Sequence, residues 1–144
     1  VEKLLIRDLT LNQVFDFGSI TLSEDDIMDY ARRYDPLPFH IDKKIADASI
    51  FKGLVSSGPQ MFNTSYIKEW VPRFGDTVIC GLELNNWKFL APIYANQPIT
   101  CKVTIIHLKR NEAEKHVVIT WNYQFFNPKG KMVQTADVTV MHKL

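Results

Sequence analysis

The chain has almost no net charge: Lys+Arg 17 against Asp+Glu 16 leaves +1. No global field therefore draws it to nucleic acid or to an anionic membrane, and any anionic ligand must be met by local basic groups. No apolar run approaches the ~20 residues needed to span a bilayer, so no membrane partner is expected. The N-terminus carries no signal-peptide pattern, although numbering from Val1 leaves a processed leader open. Only two cysteines are present, Cys80 and Cys101, with neither metal nor redox spacing. Each falls in a strand-like run and reads as a reduced core thiol, which suits a cytoplasmic compartment. His107, His116 and His142 also fall in strand patterns, and no pair of them has ligand spacing, so no metal is expected. Aromatic residues are common in the strands, but none is spaced as a nucleic-acid platform.

What is present fits one globular domain covering 1–144. At 144 residues, 46% apolar and 23% charged, the chain can bury a real core. It has no internal repeat, low-complexity tract or long linker. The first half mixes element types. Val14 to Leu22 reads as a strand leading to Ser23, a helix N-cap whose first turn carries Glu24, Asp25 and Asp26. Ile27, Tyr30, Ala31 and Tyr34 then recur at helical spacing until Pro36. Asp42 can cap a short helix over Lys43 to Ala48. A longer helix is predicted from Ser57 to about Trp70, with Pro59 in its first turn and Pro72 as its stop.

The second half is strand after strand. Ile99, Cys101, Val103 and Ile105 alternate with polar residues, as do Val117, Ile119, Trp121, Tyr123 and Phe125. Asn127-Pro128-Lys129-Gly130 marks a turn before Met132 to His142. Such one-sided alternation means an antiparallel sheet with one covered face. The 57–70 helix is the element long and apolar enough to cover it. The fold class is therefore α+β, a curved antiparallel sheet wrapped around a long central helix.

Two stretches carry potential chemistry. Tyr34-Asp35-Pro36-Leu37-Pro38-Phe39-His40-Ile41-Asp42 places a carboxylate and an imidazole five positions apart on a segment broken by two prolines. Alone it also reads as a loop in which Asp35 caps and His40 satisfies a backbone group. The prolines fix the backbone so that the two side chains can converge as an acid/base pair. The second stretch, Gly53-Leu54-Val55-Ser56-Ser57-Gly58, enters the long helix. Its serines can cap that helix, and the first helical N–H groups, which lack intrahelical partners, can hold a polarised carbonyl oxygen. Arg32-Arg33, Lys43-Lys44 and Lys109-Arg110 read as solvated faces, one of which could meet a phosphate.

These residues resemble the MaoC-like dehydratases and (R)-specific enoyl-CoA hydratases of the hotdog fold. That family's first signature runs from an Asp through two spacers to Pro, an apolar residue and His, often with an acidic residue two positions on; Asp35-Pro36-Leu37-Pro38-Phe39-His40-Ile41-Asp42 matches it. The Gly53–Gly58 run is similar to the family's glycine-rich entry to its central helix. Trp87-Lys88-Phe89-Leu90-Ala91-Pro92-Ile93 is similar to the strand that ends in Pro-Val before a Gly-Asp turn. Two positions depart: Leu37 replaces a frequently polar spacer, and Tyr94-Ala95-Asn96-Gln97 replaces the Gly-Asp turn.

The resemblance implies reversible addition of water to a trans-2-enoyl thioester, with Asp35 and His40 as the catalytic pair. Which of them is acid and which base stays open. It implies an oxyanion site at the Gly58 N–H with Ser57 as a positioning hydroxyl, and an acyl tunnel lined by Met61 and Phe62. No redox or metal cofactor is required, and coenzyme A or an acyl-carrier protein is the handle of the substrate. Two copies are expected to pair edge to edge into a homodimer or a higher homo-oligomer. A hotdog thioesterase and a non-catalytic acyl-thioester-binding or partner subunit are the alternatives. The first usually needs a carboxylate at the helix start, where Ser57-Gly58-Pro59-Gln60-Met61 has none.

Overall fold

The structure is a computed structural model that describes residues 4–144. Strand β1 (Val14–Thr21) hands over to helix α1 (Glu24–Tyr34) through a capping box. Ser23 Oγ accepts the Asp26 N–H at 3.0 Å, and Asp26 Oδ2 accepts the Ser23 N–H at 2.9 Å. Two short helices follow, α2 (Pro38–Ile41) and α3 (Lys43–Asp47), the latter capped by the Asp42 carboxylate on the Ile45 N–H. The main helical stretch begins with α4 (Gly58–Ser65), passes through a π turn (Tyr66–Trp70) and ends with α5 (Val71–Phe74). Four long strands complete the chain: β2 (Val78–Phe89), β3 (Pro98–Asn111), β4 (His116–Phe126) and β5 (Met132–Lys143).

The strands form one antiparallel sheet in the order β1-β3-β4-β5-β2. Alternation puts Ile99, Cys101, Val103 and Ile105 of β3 on the same covered face as Val117, Ile119, Trp121 and Tyr123 of β4. The helical stretch packs onto that face. The Trp70 ring meets Trp121 edge-on at 5.5 Å, Phe74 lies 4.5 Å from Trp121, and Phe62 lies 4.9 Å from Tyr123. The architecture is an α+β, hotdog-like fold with a helical core.

Three local expectations need correction. Pro72 does not stop the helix, which continues to Phe74. Proline lacks an N–H and its ring crowds the preceding turn of an α-helix. Here the preceding turn is wider, with the Val71 N–H bonded to the Tyr66 carbonyl five residues back, and Pro72 fits as the helix tightens again. His40 lies on the short helix α2, not in an open loop. Cys101 is buried, but Cys80 is exposed, because β2 is an edge strand covered on neither face for most of its length.

Among the described residues no helix is long and apolar enough to cross a membrane.

Candidate active site

Local backbone chemistry brings the acid/base candidates together. Asp35 ends α1, its N–H still bonded to the Ala31 carbonyl at 2.8 Å. Pro36 then reverses the chain in a three-residue turn, with the Leu37 N–H donating to the Asp35 carbonyl at 2.8 Å. Pro38 opens α2 at the position where its missing N–H costs nothing, and two residues on the helix presents His40. His40 is 6% exposed, and its ring packs edge-on against Phe39 at 4.5 Å. Its Nε2 lies 3.5 Å from Asp35 Oδ2.

The segment Val55–Gly58 organises this pair from the other side. The Val55 carbonyl accepts from His40 Nδ1 at 2.7 Å. A carbonyl only accepts, so the proton of neutral His40 sits on Nδ1 and Nε2 is left as an acceptor facing the carboxylate. Ser57 Oγ–H donates to Asp35 Oδ2 at 2.7 Å and makes no cap on the helix behind it. Gly58 opens that helix, where the N–H has no intrahelical partner. Its lack of a side chain is a packing requirement, since a Cβ there would sit 2.7 Å from the Phe89 ring. The Tyr94 hydroxyl, in the turn that departs from the family pattern, donates to the Phe51 carbonyl at 2.7 Å and ties that turn to the cavity wall.

Asp35, His40 and Gly58 line one cavity of ≈ 480 Å³, with Phe39, Phe51, Phe89 and Ile93 among its apolar walls. Two further polar residues line it: Ser56, which the sequence offered only as a helix cap, and Gln134, which sequence reasoning missed. Gln134 donates from Nε2 to the Gly58 carbonyl at 2.6 Å. Met61 and Phe62, expected along an acyl tunnel, do not line this cavity. Met61 is fully buried in the core, and Phe62 borders a second groove with Tyr66, Leu82 and Val138. Among the described residues no cluster of three or more His, Cys, Asp or Glu could hold a metal ion. His142 is held neutral in the core. Trp121 Nε1–H donates to its Nε2 at 3.3 Å, Thr77 Oγ1 lies 2.9 Å from its Nδ1, and burial lowers its pKa to about 4.

A sheet packed on a helical core, with an imidazole and a carboxylate meeting beside a helix start, defines a hotdog-type acid/base site. The model of the MaoC-like domain family matches residues 8–124, and the chain belongs to that family. The uncharacterized protein YdeM of Bacillus subtilis (strain 168) is 31% identical over 142 residues, covering 96% of this chain and 98% of that protein. The fold is similar to a MaoC-like dehydratase from Rhodospirillum rubrum (22% identity, TM-score 0.83, 97% of each chain covered). It is also similar to the R-hydratase PhaJ1 from Pseudomonas aeruginosa (19% identity, TM-score 0.75, 95% of this chain and 84% of that one). Family membership and the pairing of buried His40 with half-buried Asp35 together support hydro-lyase chemistry of the hydratase/dehydratase type.

Proposed function

We propose that the protein is an (R)-specific enoyl-CoA hydratase/3-hydroxyacyl-CoA dehydratase, with Asp35 and His40 as its catalytic pair. One observation carries the reading: two hydrogen-bond acceptors, His40 Nε2 and Asp35 Oδ2, face each other at 3.5 Å in the cavity. Two acceptors do not bond to each other, but a water has two hydrogens and can donate one to each. Such a water is oriented with its oxygen lone pairs toward the substrate.

In hydration, the water oxygen adds to C3 of the trans-2-enoyl thioester while His40 Nε2 takes one of its protons. The resulting imidazolium is stabilised by the carboxylate beside it. Electrons from the 2,3 double bond move onto the thioester oxygen, which rests on the Gly58 N–H at the positive end of the helix. A proton held by the pair then passes to C2, so the water supplies OH to C3 and H to C2. Ser57 holds the carboxylate in place throughout. Dehydration is the same path in reverse. No step requires a cofactor, and coenzyme A or an acyl-carrier protein carries the acyl group.

The hydrolytic alternative finds less support. Asp35 is the one carboxylate lining the cavity among the described residues, and it is already engaged by Ser57. We further read residues 1–144 as a single domain, a curved sheet around one long helix, working in a reducing cytoplasmic compartment as the free cysteines suggest. The edge strand β2 carries the exposed side chains Ile79, Leu82 and Leu84, and we place the homodimer contact there, edge to edge.

The test is hydration of crotonyl-CoA and of a longer trans-2-enoyl-CoA, followed by loss of enoyl-thioester absorbance with chiral analysis of the product. Formation of the (R)-3-hydroxyacyl thioester supports the reading. Release of free coenzyme A makes the protein a thioesterase, and a folded protein inert toward both lengths removes the hydratase reading for these substrates.

A further inference from the structure

We propose that Gln134 is a positioning residue for the reaction: from β5 it holds the first residue of α4 so that the Gly58 N–H stays aimed at the thioester oxygen. The inference rests on the acyl-thioester reading above and deepens it.

This helix start has a single donor to offer. Of its first three positions, Pro59 has no N–H, and the Gln60 N–H already donates to the Ser57 carbonyl at 3.1 Å. The Gly58 N–H remains, without a partner among the described residues. A site with one donor depends on where that donor points, because the charge it stabilises develops at one place.

The usual means of fixing a helix start is missing. A serine before the first turn ordinarily ties a backbone N–H down with its hydroxyl. Ser57 makes no such bond, since its hydroxyl is turned to Asp35. Glycine, with no side chain, is also the residue whose backbone is least confined by its own sterics.

Strands β2 and β5 supply what the helix lacks. Phe89 and Gln134 are partners in the ladder between them, and both reach Gly58. Gln134 Nε2 donates to the Gly58 carbonyl at 2.6 Å, and the Phe89 ring fills the space where a Gly58 side chain would begin. A carbonyl has two lone pairs, so the bond from Gln134 coexists with the helical ladder. Gln134 is 1% exposed and lies in phase with the buried Ala136 and Val140, so its amide is carried by the rigid sheet. Gly58 is thus held at its carbonyl and beside its Cα, with the N–H left for substrate. An enolate oxygen draws more from that N–H than a ground-state carbonyl does. Loosening Gly58 therefore slows the reaction far more than it weakens binding.

The experiment compares three substitutions with wild type. Gln134→Met keeps the length and loses the donor. Gln134→Asn keeps an amide that falls one methylene short, and it carries the test if the first variant does not fold. Gln134→Glu keeps a donor while its carboxyl is protonated, as burial favours at pH 6. The first two should lower kcat for crotonyl-CoA about ten- to a hundredfold. Their affinity for butyryl-CoA, which cannot be hydrated, should stay within about threefold of wild type. Gln134→Glu at pH 6 should keep kcat within about threefold of wild type at the same pH. Infrared spectra of bound butyryl-CoA, carbon-13 labelled at the carbonyl, give a readout independent of turnover. The thioester C=O stretch should lie lower in wild type than in the first two variants.

Unchanged kcat in those two variants overturns the proposal, as does a Gln134→Glu variant that fares no better than they do. A loss of kcat matched by an equal loss of affinity, with the carbonyl band unmoved, also overturns it, because that is what a purely structural amide would give. Turnover by wild type with unaffected variants sinks this inference only. A carbonyl band that moves as expected in a protein unable to hydrate crotonyl-CoA sinks the hydratase reading only.

Discussion

Ser57 donates its hydroxyl to Asp35 Oδ2 across 2.7 Å, from a position where serine ordinarily caps its own helix. The same oxygen of Asp35 faces His40 Nε2 at 3.5 Å. Ser57 thus fixes where the carboxylate points without being able to exchange a proton at the substrate itself.

Ser57→Ala should therefore lower kcat while leaving KM nearly unchanged. A hydrogen bond to a charged group contributes roughly 1.5–3 kcal/mol, which corresponds to a loss of about ten- to a hundredfold. Steady-state kinetics on the preferred enoyl thioester give the answer. A rise in KM alone would make Ser57 a substrate-binding group instead of a positioning one.

The bond from His40 Nδ1 to the Val55 carbonyl makes a prediction about the resting tautomer. In the neutral ring, nitrogen-15 shifts of His40 should show the proton on Nδ1 and a bare Nε2. The opposite pattern would leave no acceptor to orient a water. Asp35→Asn and His40→Gln should each lower kcat by roughly 10²–10⁴-fold, the usual range for an acid/base group. Because the two residues act on one water, the double variant should be scarcely worse than either single one.

Much of this site is written locally, which is why its outline is legible in the sequence. The Ser23 cap, the Asp42 cap and the alternation of β3 and β4 each depend on near neighbours, and the structure has all of them. The convergence of Asp35 and His40 follows from two prolines that leave the chain few choices. What could not be read depends on contacts far along the chain. Ser57 looks like a cap until Asp35 arrives from 22 residues away. Gln134 sits in a strand pattern, in phase with the buried Ala136 and Val140, and only the Gly58 carbonyl, 76 residues away in sequence, shows what its amide holds. Pro72 reads as a stop because sequence periodicity carries no sign of the π turn that admits it. The exposure of Cys80 follows from strand order, which places β2 at the edge.

Gly58 and Phe89 are in mutual contact, and the glycine is required by the ring. An added Cβ would approach ring carbons at 2.7–2.9 Å, so Gly58→Ala must push the ring aside. Overpacking of this kind costs about 1–3 kcal/mol, and displacement at the helix start should also reduce kcat. Replacing Phe89 by Leu in the same chain should recover much of the lost stability. Denaturant unfolding of the two single variants and the double variant measures the coupling; additive effects would show that the clash is relieved elsewhere.

His142 gives the fold a pH dependence separate from catalysis. Burial lowers its pKa from 6.5 to about 4, so the unfolded chain binds a proton that the folded one refuses between those values. Stability contributed by the neutral ring is thus fully present above pH 6.5 and drains away as the pH falls toward 4. The whole shift corresponds to at most about 3 kcal/mol. Carboxylates titrate in the same window, so wild type is compared with His142→Gln, which cannot take up the proton. The substitution should destabilise at pH 7, where the bonds to Trp121 and Thr77 are lost, and the gap should narrow by pH 4.5. A gap that stays constant across that range would mean that His142 opens to solvent before it protonates, and that its burial contributes nothing to the acid sensitivity of the fold.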